Sequence, residues 1–105
     1  MNNMSQIMKQ AKAMQEKMAE MQKKIEQTEV EGTSGGGAVK VLINGKHEVK
    51  KINIDKSLID PNESEVLEDL IVAAMHEAKK NADNLSEQEM KSVTGGMPMP
   101  PGIKF

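Results

Sequence analysis

Apart from two histidines, every basic side chain in this sequence is lysine: none of the 14 Lys+Arg residues is an arginine. A lysine ammonium is a compact point charge that satisfies a phosphate oxygen without reading a base edge. Arginine, the usual bidentate partner of guanine, is missing, so strong base readout is not expected. The lysines are unevenly placed. Residues 1–31 hold five of them, Lys9, Lys12, Lys17, Lys23 and Lys24, against five glutamates. Residues 32–59 hold five against Glu48 and Asp55, and residues 60–92 hold Lys79, Lys80 and Lys91 against nine acids. With a formal net charge of −2 there is no global basic signature, so any polyanion contact needs a local lysine surface with the acidic side turned away.

Other chemistries find little to build on. The absence of cysteine excludes disulfides, thiolate metal sites and thiol nucleophiles. His47 and His76 are too few and too far apart in sequence for a metal site. Gly35-Gly36-Gly37 could cradle a phosphate, but no Lys-Ser/Thr pair follows and no helix is expected there, so a turn is the better account. The acid pairs Glu68-Asp69 and Glu87/Glu89 lie in a helical pattern and read as a solvated face rather than acid–base machinery. No nucleophile–base constellation appears. Neither an enzyme nor a cofactor is expected.

The elements that must position the lysines follow from periodicity. Met4, Ile7, Ala11, Met14, Met18, Met21 and Ile25 recur at steps of three and four, with Gln, Lys and Glu between them and no Gly or Pro. This predicts a helix from about Asn3 to Gln27 with one narrow apolar seam. About 24 residues at ~1.5 Å each give roughly 36 Å, more than the rest of a small domain can cover, so the helix should project and its seam should meet a second helix. On it Lys9, Lys12, Lys23 and Lys24 lie off the seam and Lys17 flanks it, with Glu20–Lys24 as a candidate pair.

Thr28–Thr33 then reads as a short edge strand, Ser34–Gly37 as a turn, Ala38–Ile43 as a second strand and Val49–Ile54 as a third. Asn44-Gly45 marks the hairpin. A four-residue loop, Asn44–His47, pairs Val39 with Ile52 and Val41 with Lys50. It gathers Val39, Val41, Ile43, Ile52 and Ile54 on one face and leaves Lys40, Lys51 and Asn53 on a wet one. Asn62 with Glu65 resembles a capping box, so a second helix should begin near Glu63. Its stripe is Leu67, Leu70, Ile71, Ala74, Ala78, Ala82 and Leu85; its first half should cover the sheet and its polar second half should project. Gly95-Gly96 should end it, and MPMPPGIKF should run extended. The expected fold is α+β, α-β-β-β-α, as one domain over 1–105: a helical arm at 1–27, a β-meander at 28–55, a helix at 62–94 and a Pro-rich tail at 95–105. With Phe105 the only aromatic residue, the monomer core is small, which favours a homodimer.

Specific stretches resemble the YbaB/EbfC family of bacterial nucleoid-associated proteins. They are KQAKAMQEKMAEMQKK (Lys9–Lys24), VEGTSGGGAVKVLINGKHEVKKINID (Val30–Asp55), LEDLIVAAMHEA (Leu67–Ala78) and VTGGMPMPPGIKF (Val93–Phe105). One departure is His47, where many members carry Gly or another small residue; it bears on turn geometry only. The resemblance implies a tweezers-like homodimer that binds duplex DNA with little or moderate sequence preference through projecting helical arms. The DNA-binding candidates are then Lys9, Lys12, Lys17, Lys23 and Lys24 on the first helix and Lys79, Lys80 and Lys91 on the second. A bacterial cytoplasmic, nucleoid location follows, with a role in nucleoid organisation or gene regulation. The alternative is an adaptor that docks a replication or recombination protein through the Met-rich helix and the tail, since Met-rich surfaces adapt to varied partners. A membrane-surface helix ranks below both, because the stripe is narrow and lacks Trp, Phe or Leu anchors. No run is apolar enough to read as a membrane span.

Overall fold

The heptad-spaced N-terminal segment forms one helix, α1 (Asn3–Gln27), as its unbroken run of good helix formers requires. The computed structural model describes residues 3–94. After α1 come strands β1 (Glu29–Ser34), β2 (Val39–Asn44) and β3 (Val49–Ile54), then helix α2 (Ser64–Thr94). Short 3₁₀ turns fill Gly35–Gly37, Lys56–Leu58 and Pro61–Glu63. The strands make one antiparallel sheet in the order β1-β2-β3. The α-β-β-β-α order and the α+β class agree with expectation. The calls on Gly95-Gly96 and on the Pro-rich tail lie outside the described residues.

The core is a contact of small helical residues with β-branched strand residues. Val39, Val41 and Ile43 are fully buried, as are Ala74, Ala78 and Ala82 of α2. Alanines at every fourth position let the α2 backbone sit close to the sheet, and Gly32 in β1 completes that approach. A Cβ built on Gly32 would lie 2.2 Å from the Ala74 carbonyl oxygen and from the Ala78 nitrogen. Side-chain bonds to backbone fix the crossing: Ser34 Oγ donates to the Leu70 carbonyl, and Asn81 Nδ2 donates to the Glu31 carbonyl at 2.7 Å. Leu67, Leu70 and Ile71 are only partly buried on this core. The costliest aliphatic truncations should therefore fall on the strands. Ile43→Val should cost about 0.5–1.5 kcal/mol in urea unfolding, whereas Lys9→Ala, on an exposed position, should stay within about 0.5 kcal/mol.

The hairpin register differs from the expected one. Val41 faces Ile52 and Val39 faces Ile54; Ile43 faces Val49 while Leu42 faces Lys51, so Lys50 is an unpaired bulge residue. Two causes combine. The Asn44 side chain organises the loop through to Glu48: its Oδ1 accepts from the Lys46 and Glu48 amides at 2.9 Å, and its Nδ2 donates to Glu48 Oε1 at 2.6 Å. Continuing the Val41–Ile52 and Leu42–Lys51 ladder without a break would set Lys50 against the buried Ile43, and the bulge removes that charge from the pairing. His47 takes a left-handed conformation in this loop (φ 66°), which glycine would adopt more easily.

A second difference concerns β3. Ile52 was expected in the core with Val39, but it is 43% exposed and Ile54 only half-buried. α2 crosses β1 and β2, drawn there by Gly32 and the alanine stripe, and leaves the apolar face of β3 uncovered. The start of α2 differs in detail too. The Asp60 carboxylate, not Asn62, accepts the capping bond, from the Asn62 amide at 2.9 Å, and Pro61 opens the 3₁₀ turn before Ser64. Asp55 caps the preceding turn. Bonds from the Ser57 amide, then from its hydroxyl, hold this exposed carboxylate below its ordinary pKa. A depressed carboxylate pKa adds stability above the unfolded value, and that stability is lost as pH falls through the folded one.

The α1 seam is divided. Its inner half, Met18, Met21 and Ile25, packs against Met90 and Val93 of α2 in a second small core. The α2 second half is thus not a free projection: Ala78 and Ala82 lie on the sheet and Met90 on α1. The Gly45 amide donates to the Ile25 carbonyl at 3.0 Å and ties the hairpin to the end of α1. The outer half of the seam stays open, with Met4 75%, Ile7 59% and Met14 44% exposed. The chain is accordingly long, 76 × 26 × 16 Å, with a radius of gyration of 19.6 Å against ~13 Å for a compact domain of its size.

Candidate nucleic-acid interface

The eight candidate lysines do not converge on one face. Lys9 and Lys12 stand exposed on the outer half of α1. At a spacing of three they are neighbours on one helix face. Lys23 lies eleven residues beyond Lys12, three turns on and roughly 16 Å along the same ridge, away from the Met seam. Between Asn3 and Gln15 there is no Asp or Glu; the first acid is Glu16. The outer half of the arm is therefore the one stretch among the described residues of α1 where lysine charge is not diluted.

The inner half is different. Lys24 Nζ lies 3.1 Å from Glu89 Oε1 of α2, so its partner is not Glu20 as the helical spacing suggested. Lys17 and Lys24 border a groove between α1 and α2 with Glu20, Met21, Glu89 and Val93. Lys23 borders a depression of mixed charge with Glu26, Glu29, Glu48 and Lys50. Such neighbours screen all three lysines in the free protein. On α2, Lys79 and Lys80 are exposed beside Glu77 and Asp83, and Lys91 is exposed near the far end and has an interaction of its own. The acidic character of α2 thus persists in three dimensions.

Residues outside the candidate set also matter. Lys40 and Lys51 are exposed on the sheet face opposite α2, with Asn53 across from Lys40, as the strand alternation indicated. Lys46 Nζ pairs with Glu26 Oε2 at 3.2 Å, and His47 Nε2 lies 2.9 Å from Asp83 Oδ1. These two contacts and Lys24–Glu89 fasten α1, the hairpin and α2 to one another. No local sequence signal marks them, because the partners are 20 to 65 residues apart in the chain. Among the described residues no group of three or more His, Cys, Asp or Glu could hold a metal ion. His76 is exposed. No helix of the described residues is long and apolar enough to cross a membrane.

The chain is an elongated α-β-β-β-α protein with a lysine-bearing helical arm. The chain belongs to the YbaB/EbfC DNA-binding family, whose model matches residues 1–97. It is 50% identical over 105 residues to a nucleoid-associated protein of Granulibacter bethesdensis, covering 100% of this chain and 98% of that one. It is 52% identical over 105 residues to a nucleoid-associated protein of Paramagnetospirillum magneticum, with the same coverage. A nucleoid-associated protein of Dictyoglomus thermophilum is 46% identical over 103 residues, 98% of this chain and 99% of that one. In three dimensions the chain resembles the crystal structure of the uncharacterized protein HP0035 from Helicobacter pylori. The TM-score is 0.68 at 26% identity, over 92% of this chain and 97% of the other.

Proposed function

We propose that the protein binds duplex DNA as a homodimer, mainly through phosphate contacts from lysines of α1, and serves nucleoid organisation or gene regulation in the bacterial cytoplasm. The observation that carries this is the acid-free outer half of α1, with Lys9 and Lys12 exposed on one ridge, in a chain of a DNA-binding family. Point charges on a projecting helix suit a backbone that offers one negative charge per ~1.7 Å, and the absence of arginine argues against strong base readout. Lys23 extends the same ridge, away from the α1–α2 joint, although Glu26, Glu29 and Glu48 border it too. Lys17, Lys24, Lys79, Lys80 and Lys91 are lesser candidates because acids stand beside them. A mobility shift on random-sequence duplexes at two salt concentrations tests this; similar shifts on unrelated sequences, weakening with salt, are expected. Binding to one sequence only, insensitive to salt, would count against it.

The dimer is supported by apolar surface that one chain leaves open. Val49 and Ile52 on β3 are 45% and 43% exposed and Ile54 is half-buried, on the face that α2 leaves uncovered. A second copy seated there would complete the core and present two arms to one duplex. Ile52→Lys should convert the dimer to monomer in light scattering at micromolar concentration, since it places a charge in that contact. An unchanged mass would move the interface elsewhere; a wild-type protein that is already a stable monomer would remove the dimer altogether. The adaptor alternative has no specific observation in its favour.

A further inference from the structure

Among the described residues, α1 is held at its C-terminal end alone. Every residue from Asn3 to Lys17 is exposed, and of the whole helix only Met21 and Ile25 are buried. The exposed part is a lever of roughly 22 Å at ~1.5 Å per residue. Lys9 and Lys12 ride on it, about 24 and 20 Å from Ile25. A tilt of ~10° at Ile25 would carry Lys9 by roughly 4 Å, more than the ~3.4 Å between successive phosphates of one strand along the duplex axis. The direction of the arm therefore decides which phosphates its lysines meet.

Most of what holds that end is compliant. The second core is built largely of methionine, Met18, Met21 and Met90, and methionine fixes a packing weakly. The Lys24–Glu89 and Lys46–Glu26 pairs have lysines at least half in solvent, where ion pairs constrain little. One contact is different, because it sets backbone on backbone. The last carbonyls of a helix lack intrahelical partners. The Ile25 carbonyl finds its partner in the Gly45 amide of the hairpin loop, which donates to it at 3.0 Å. Gly45 is buried there, and a Cβ on it would stand 2.6 Å from the Ile25 carbonyl oxygen and closer still to Ile25 Cγ2. The loop itself is braced. Asn44 Oδ1 accepts from the Lys46 and Glu48 amides, and His47 Nε2 meets Asp83 of α2 at 2.9 Å.

We propose that Gly45 is the positioning residue of the arm: its amide and its missing side chain set the direction of α1, and through it whether both arms of a dimer meet one duplex. The second half of this rests on the DNA reading above; the first half does not. A side chain at position 45 pushes Ile25 outward, while the lysines and the separate core around Gly32 and Ala78 stay as they are. The φ of Gly45 is not left-handed, so Gly45→Ala adds the steric contact alone. A duplex can follow one tilted arm by shifting with it. It cannot follow two arms whose relative direction has changed.

The chain has no cysteine, so nitroxides can be attached at Gln6→Cys on the arm and Glu31→Cys on β1, both exposed positions. The doubly labelled full-length protein is diluted with excess unlabelled protein, so that double electron–electron resonance reads the pair within one chain. One narrow distance is expected with Gly45 in place, and a distribution displaced or broadened by several ångströms with Gly45→Ala. Lys46→Gln, which removes only the exposed pair with Glu26, should leave the distance unchanged. Circular dichroism verifies that the helices persist. A broad distribution with Gly45 in place would overturn the proposal, and that result needs no variant to fold. So would a distance that Gly45→Ala leaves where it was, or one that Lys46→Gln moves as far. Fluorescence anisotropy against salt on the unlabelled proteins tests the second half. The slope should fall from about −5.4 to about −2.7 in Gly45→Ala, with every lysine present, as one arm disengages. A merely destabilised protein would lower the active fraction and keep the slope. Equal slopes would overturn the link between Gly45 and DNA, whereas a wild-type slope near zero would remove the DNA reading itself.

Discussion

Gly32→Ala should destabilise the protein by about 3 kcal/mol or more. The cause is steric. The new Cβ would meet the Ala74 carbonyl oxygen and the Ala78 nitrogen at 2.2 Å and the Ala78 Cα at 2.7 Å, all of them backbone atoms that cannot rotate aside. Relief requires α2 to lift from β1, which uncovers Val39, Val41 and Ile43 together. Gly36→Ala is the matched control. Its Cβ meets nothing within 4 Å, but its φ of 67° is left-handed, so only a conformational cost of roughly 1–2 kcal/mol is expected. Urea unfolding of both variants at one protein concentration separates the two mechanisms. Equal losses would mean that α2 does not sit on Gly32 as described.

The second large effect concerns DNA. Joint replacement of Lys9, Lys12 and Lys23 by Gln should flatten the slope of log affinity against log salt by about 2.7 for each arm engaged, at ~0.9 per phosphate contact. At 0.1 M salt that corresponds to a loss on the order of 10²-fold per arm, similar for all duplex sequences. Lys24→Gln alone should change the slope less than Lys9→Gln, because Lys24 is held by Glu89 and must leave that partner to reach a phosphate. Fluorescence anisotropy over a range of salt reads both numbers. If the triple variant binds with the wild-type slope, α1 is not in the DNA site.

The elements were legible in the sequence because each carries its own period. The seven seam residues of α1 mark a helix whose limits match the structure, and Val39, Val41 and Ile43 mark the buried face of β2. What the sequence did not disclose depends on contacts between distant residues. The Lys50 bulge follows from the loop bonds of the Asn44 side chain and from the burial of Ile43, neither of which alternation alone reveals. The exposure of Ile52 follows from where α2 crosses the sheet, which Gly32 decides by lacking a Cβ; in the sequence it looked like one residue of a weak strand. The lysines divide in the same way. Lys9 and Lys12 stand clear because no acid precedes Glu16 in the chain. Lys24 and Lys46 are engaged by Glu89 and Glu26, which become neighbours only when the second core of Met21, Ile25 and Met90 forms.

DNA binding carried by lysine–phosphate contacts is tested most directly by the salt dependence of wild-type binding to two unrelated duplexes of equal length. The expected result is a straight line of log affinity against log salt for each, with nearly equal and steeply negative slopes. Three contacts per arm, from Lys9, Lys12 and Lys23, give a slope of about −2.7 when one arm engages and about −5.4 when both do. A slope near zero, or affinities that differ by orders of magnitude between the duplexes at every salt concentration, would contradict it.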